Sequence, residues 1–230
     1  GRFDRILEGA DRTPGFEDWD GLFYTGVMAG LSWNALDHDG HGVRSGLYAE
    51  ASFEWGPGFL NELADFWRAD AKLSTALPLF DLPGERNVLS GYLADFIQAD
   101  YADGSRIPAY VNQTFGGREL RDSLGASVRG YAQSSYDTKL KLVHNLELRV
   151  NGPAVWSAKL YPVAYFFLDS GYYAGYSGAS DASDDSGFLA SVGCGLAGNF
   201  LDIAQVGLAI ARPLLEKSSL WWDLRLFLHF

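Results

Sequence analysis

Four histidines, one cysteine, one serine-centred tetrapeptide and two acidic clusters are the places where this sequence could site covalent or metal chemistry. Ser177, in Gly175-Tyr176-Ser177-Gly178, lacks the G-x-S-x-G spacing that lifts a nucleophile onto a strand-to-helix turn. Asp37-His38-Asp39-Gly40-His41 has metal-ligand residue types but no distal bidentate Glu at EF-hand spacing. Its Asp-Gly pair instead favours a tight turn. The acidic run from Asp181 to Asp185 has the charge to attract Ca²⁺ or cation-bridged lipopolysaccharide, and reads as a solvated loop. Cys194, alone in the chain, can form no intrachain disulfide and reads as a small apolar residue. His38, His41, His144 and His229 have no catalytic neighbour visible in the sequence. The expectation is no catalytic residue, no metal and no cofactor.

The elements that carry these residues follow from composition and periodicity. Aromatics make up 15% of the chain, yet mean hydropathy is only −0.07, as in a water-soluble protein. A spanning helix requires about 20 consecutive apolar residues, and no such run exists. Barrel strands reconcile the two observations, because lipid-facing and lumen-facing residues alternate and cancel in any average. A net charge of −11 argues against a nucleic-acid partner and disfavours polybasic membrane attachment. No Gly, Pro or Ser tract separates two units, so the chain reads as a tail over 1–21 and one barrel domain over 22–230.

The C-terminus is the clearest strand: Trp222, Leu224, Leu226, Leu228 and Phe230 share a membrane-facing side, opposite Asp223, Arg225, Phe227 and His229. Upstream, Ala204 to Ala211 and Phe188 to Leu196 alternate apolar residues with small ones that suit a crowded lumen. Leu160 to Asp169 and Leu140 to Arg149 alternate likewise, placing Glu147 and Asp169 inward and His144 on the lipid side. Four more strands are expected near Leu22 to Asn34, Arg44 to Trp55, Phe66 to Leu79 and Asn87 to Tyr101. Short turns are expected at Asp37 to Gly40, Asp81 to Gly84, Asn151 to Pro153 and Gly198-Asn199; long connections include a loop over 102–137. Short turns belong to the periplasmic side and long loops to the outside. Nine strands are visible, and bacterial single-chain barrels have even counts, so the fold class is an all-β, transmembrane antiparallel meander barrel of 8 to 10 strands. Arg2 to Glu8 is a poor candidate for a tenth.

Three motifs then occur in a fixed order: Phe115-Gly116-Gly117 with Val128-Arg129-Gly130-Tyr131, next Asn145-Leu146-Glu147-Leu148-Arg149, and next Phe166-Phe167-Leu168-Asp169-Ser170-Gly171. Ala209-Ile210-Ala211-Arg212-Pro213-Leu214 adds a fourth. Together they resemble the C-terminal half of barrels of the bacterial surface antigen superfamily, which includes the BamA, TamA, two-partner-secretion and patatin-autotransporter barrels. The resemblance implies that the loop bearing Val128, Arg129, Gly130 and Tyr131 folds into the lumen, where Arg129 pairs with Glu147 and Asp169. It further implies a Gram-negative outer-membrane location.

Family members typically carry sixteen strands and periplasmic POTRA domains. The sequence is therefore expected to encode a miniature barrel without them, with a structural or export-related role. Two alternatives from other classes remain: an oligomeric scaffold or lipid-binding barrel without transport, and an outer-membrane lipid-modifying enzyme. Expected partners are outer-membrane lipids and lipopolysaccharide, with a homo-oligomer left open.

Overall fold

The computed structural model describes residues 25–39, 42–61, 64–82, 89–107, 113–115, 127–132, 136–155, 159–175, 186–200, 204–215 and 220–228. The tail, Arg2 to Glu8, His41, Ser177, the acidic run, His229 and Phe230 lie outside these residues.

Nine strands form one sheet. In chain order they are β1 (Val27–Asp39), β2 (Gly42–Gly56), β3 (Asp65–Leu82), β4 (Leu89–Arg106), β7 (Leu140–Asn151), β8 (Leu160–Ala174), β9 (Gly187–Phe200), β10 (Ala204–Pro213) and β11 (Trp221–Leu228). Each pairs antiparallel with its sequence neighbour, apart from the excursion between β4 and β7 that carries β5 (Gln113–Phe115) and β6 (Tyr136–Thr138). The described residues are all-β, an antiparallel meander of the kind expected. Eight antiparallel steps between nine strands leave β1 and β11 running in the same sense, and among the described residues each pairs on one side only.

Alternation decides which face is covered. On β7, Lys141, Asn145 and Glu147 are buried while Leu142 and Leu148 are exposed; on β8, Tyr165, Phe167 and Asp169 are buried while Phe166 and Leu168 are exposed. On β10, Ala209 and Ala211 are buried beneath exposed Val206 and Leu208. Polar side chains thus line the inside and apolar ones the outside, the arrangement a lipid solvent selects. Trp222 and Leu224 of β11 are exposed as expected for membrane-facing residues. Leu226 and Leu228 lie on the same strand, with side chains outside the description.

Aromatic side chains mark the outer rim. Trp55 pairs with Trp67, Tyr172 pairs with Phe188, and Trp67 packs its ring 5.2 Å from that of Tyr101. Such belts sit where the hydrocarbon meets the head groups. Strands β3 and β4 have 18 residues each, longer than the roughly 9–11 needed to span, and continue past this rim.

Strand ends differ from the sequence reading wherever turn-type residues are drawn into a ladder. Leu89–Arg106 takes in the start of the expected 102–137 loop, because Ala102 and Asp103 find partners in Arg68 and Trp67. Gly198-Asn199 pairs with Val206 and Gln205 instead of turning. Asp37, His38 and Asp39 likewise belong to β1, which bulges there against β2. The first strand begins at Val27, five positions beyond the expected Leu22. Pro78, which cannot donate to a ladder, sits at a bulge between β3 and β4.

Candidate functional site

The densest charge cluster is built where the excursion between β4 and β7 re-enters the lumen. Ser127 to Tyr131 are all buried, although they belong to a connection and not to the wall. A buried connection must find partners for its backbone and side-chain polar groups, and β7, β8 and β9 supply them.

Arg129 is the centre. Its backbone N–H donates to Asp169 Oδ2 at 3.0 Å, Nε to the same oxygen at 2.6 Å, and Nη2 to Asp169 Oδ1 at 2.6 Å. Nη1 donates to Glu147 Oε1. The two-point grip on Asp169 is the fork geometry that guanidinium and carboxylate share. Glu147 uses its other oxygen to accept from Arg149 Nε at 2.7 Å, and Arg149 Nη1 donates to Tyr92 Oη at 3.2 Å. The guanidinium of Arg129 also lies 3.5 Å from the Phe167 ring centroid, a cation–π contact. Burial works against the charge of Arg129, and the carboxylates of Asp169 and Glu147 outweigh it, holding the group above its ordinary pKa.

The wall is shaped for this loop. A Cβ on Gly193 would collide with the Phe167 ring and the Ile210 carbonyl, and one on Gly195 would collide with the Tyr165 ring. The missing side chains leave room for both rings, and the Arg129 guanidinium of the loop lies over that of Phe167. Gly130 has φ +90°, and a Cβ there would come within 3.2 Å of Ala211 Cβ and Pro213 Cδ on β10. Both demands favour glycine. Tyr131 Oη donates to the Ala190 carbonyl at 3.1 Å and accepts from the Ala190 N–H at 3.3 Å. Val128 packs with Tyr131, Val143 and Leu189, and Asn145 Nδ2 donates to the Ser127 carbonyl at 2.9 Å. Loop residues 127–131 therefore touch β7, β8, β9 and β10.

This geometry brings together the six residues named from the sequence: Val128, Arg129, Gly130, Tyr131, Glu147 and Asp169. A comparison with protein-family models matches residues 24–217 to the Omp85 superfamily domain. The chain belongs to the Omp85 superfamily. That family of outer-membrane barrels is the surface antigen group the motifs resemble, and its model spans every strand from β1 to β10. No curated protein matches the chain.

Two clusters within this Omp85 domain were not anticipated. On the inner face of β3 and β4, Arg68 donates through Nε and Nη2 to Asp100 at 3.0 and 2.5 Å, and Gln98 Nε2 donates to Asp70 at 2.7 Å. On the outer face, His144 Nε2 lies 2.6 Å from Asp95 Oδ1. The sequence placed His144 correctly on the lipid side but gave it no acidic neighbour, because Asp95 comes from β4, across the long excursion. The clue was parity: Asp95 falls between Leu93 and Ile97 on one face. Among the described residues no group of three or more His, Cys, Asp or Glu converges to hold a metal ion. No helix there is long and apolar enough to cross a membrane, which leaves strands unaddressed.

Proposed function

We propose that the chain is an integral outer-membrane barrel whose lumen is occupied by its own loop, fastened by Arg129, Glu147 and Asp169, and that it serves protein export or assembly without catalysing a reaction. The observation that carries this reading is the burial of Arg129 between two carboxylates on two adjacent wall strands. A loop of this length loses much conformational freedom when ordered, and the apolar burial it gains among the described residues centres on Val128 and Tyr131. The charge-assisted bonds to Asp169 and Glu147 supply the compensation. Family membership supports the export or assembly role, since fold alone does not fix function.

The interior argues against a wide pore. Tyr92, Arg149, Tyr165, Phe167 and the loop crowd the inner face over β4, β7 and β8, and Arg68, Lys72, Gln98 and Asp100 occupy it over β3 and β4. Purified protein is expected to give little or no conductance in planar bilayers. Arg129→Ala is expected to release the loop, raising conductance and altering heat-modifiable migration and protease resistance of the folded barrel. Unchanged migration, resistance and conductance would remove the basis for the loop lock. Turnover of lipid or peptide by the purified protein would refute its non-catalytic role.

A further inference from the structure

Where β9 and β10 part at the outer end of the sheet, the loop supplies half of the last rung of their ladder. Register pairs Arg212 with Val192 and Pro213 with Ser191, so Leu214 comes next, opposite Ala190. In an antiparallel ladder two residues so placed exchange both of their backbone bonds or neither. Here the exchange is half made. The Leu214 N–H donates to the Ala190 carbonyl at 2.8 Å, but the Ala190 N–H donates to Tyr131 Oη at 3.3 Å. The Leu214 carbonyl, which an ordinary rung would place at that N–H, accepts no hydrogen bond among the described residues.

More than one contact holds the hydroxyl there. Tyr131 Oη also donates to the Ala190 carbonyl at 3.1 Å, so that carbonyl is shared between Leu214 and the loop. The Tyr131 ring is buried with Val128, Val143 and Leu189. One residue earlier, Gly130 brings its backbone up to β10 so closely that a Cβ would lie 3.2 Å from both Ala211 Cβ and Pro213 Cδ. The loop therefore abuts the last two inward residues of β10 and then replaces the acceptor of the rung that follows.

Removing the hydroxyl leaves the Ala190 N–H in need of another acceptor, because Ala190 is buried and an unpaired buried backbone donor is costly. The Leu214 carbonyl is the acceptor that strand register offers, and the bond from the Leu214 N–H already holds that residue against β9. Leu214 and Leu215 are both exposed, so little burial opposes their movement. Two arrangements of the same groups thus satisfy Ala190, one with the loop docked and one with the ladder a rung longer.

We infer that the Tyr131 hydroxyl switches the β9–β10 ladder between two endings: the docked loop keeps the Leu214 carbonyl out of the ladder, and release of the loop closes the rung and draws Leu214 and Leu215 onto β9. The acceptor at Ala190 is exchanged and not lost, which keeps the two endings close in energy and lets a modest differential contact shift between them. Coupling of this kind is reciprocal: a contact that holds Leu214 and Leu215 in the ladder weakens docking of the loop by the same factor. The start of the connection from β10 to β11 therefore both senses and biases a lock buried in the lumen. The inference rests on the loop lock proposed above.

The test uses the full chain with Cys194→Ser as background, in phosphatidylethanolamine and phosphatidylglycerol vesicles. Nitroxide labels are placed on Leu73→Cys of β3 and on Leu215→Cys, both exposed positions, and the distance between them is read by pulsed electron paramagnetic resonance. Arg129→Ala is expected to release the loop, seen as lost amide protection from Val128 to Tyr131, and to shift the main distance by roughly 3 Å, one residue's rise along a strand. Tyr131→Phe removes none of the bonds of Arg129. It is expected to keep amide protection at Val128 and Arg129 while adding the same shifted distance as a second population absent from the parent. The switch is wrong if the released loop leaves the distance unmoved, or if Tyr131→Phe reproduces the parent's distribution. Loop amides that stay protected in Arg129→Ala would instead overturn the loop lock, and the switch with it.

Discussion

Asp169 and Glu147 both hold Arg129, but the geometry makes them unequal, and Asp169→Asn against Glu147→Gln exposes the difference. Asp169 receives three of the four hydrogen bonds that Arg129 donates to the pair, one of them from the backbone. An Asn at 169 keeps one acceptor oxygen and turns an NH₂ towards donors that have nowhere else to point. The substitution leaves the cluster of Arg129, Arg149, Glu147 and Asp169 with one uncompensated positive charge. Arg129 and Asp169 are among the most buried side chains in the protein, at 5% and 0% exposure, so solvent gives little relief. Breaking one side of a buried pair typically costs about 3–5 kcal/mol, a hundredfold or more in the docked population of the loop.

Glu147→Gln creates the same net charge, but its consequences are milder. One lost bond is to Arg149, whose side chain is 25% exposed and also reaches Tyr92 Oη, so it can recover water and keep a partner. Arg129 retains its fork on Asp169. A cost of about 1.5–3 kcal/mol is expected, the range for one hydrogen bond to a charged group. Hydrogen exchange of the amides from Val128 to Tyr131 in detergent micelles measures both. Loop protection is expected to fall much further in Asp169→Asn than in Glu147→Gln. Equal losses, or a greater loss for Glu147→Gln, would refute the asymmetry and with it the role of Asp169 as the main anchor.

The remaining expectations concern the wall and the edges. Gly193→Ala forces a methyl group against the Phe167 ring and the Ile210 carbonyl and is expected to cost about 1–3 kcal/mol; it should lower the temperature at which the folded form shifts on a gel. Tyr131→Phe removes the hydroxyl that bridges both backbone groups of Ala190 and should cost about 0.5–1.5 kcal/mol in the same assay. Amide protection should decline from β7–β9, which are paired on both sides and touched by the loop, towards β1, whose described residues from Thr25 to Ala35 are all exposed. Uniform protection across the sheet in hydrogen exchange would contradict that gradient.

Alternation made the nine strands legible, because each buries one face and offers the other to an apolar solvent. It put Glu147 and Asp169 inward before any partner was known, and the motif order brought Arg129 to them. Boundaries were less legible for a local reason: Ala102 to Gly104 and Gly198-Asn199 have turn composition, yet their neighbours extend far enough to pair with them. The three-residue strands β5 and β6 carry too short a pattern to read. Contacts that depend on register across the excursion were out of reach. Arg149 with Tyr92, and His144 with Asp95, each join β7 to β4, and no periodicity within either strand fixes how the two align.

The positions of these contacts give the loop more than one role. Ser127 to Tyr131 bond or pack against β7, β8, β9 and β10, so one short segment cross-braces four consecutive strands from inside. Among the described residues the opposite flank has no such brace. There β1 is joined to the β2–β3 connection through Asn61, whose side chain accepts from the Thr25 N–H at 2.6 Å and donates to the Thr25 carbonyl at 2.8 Å. Strands β7 to β10 are thus stiffened by a buried ion cluster, whereas among the described residues β1 is held by its ladder with β2 and by a single amide side chain. Because β1 and β11 run in the same sense, pairing them directly would give a parallel ladder in an otherwise antiparallel sheet. An antiparallel neighbour for β1 would have to run from the periplasmic side outward. Among the described residues the β1 edge pairs on one side only and has both faces exposed from Thr25 to Ala35, which suits it to accept another strand.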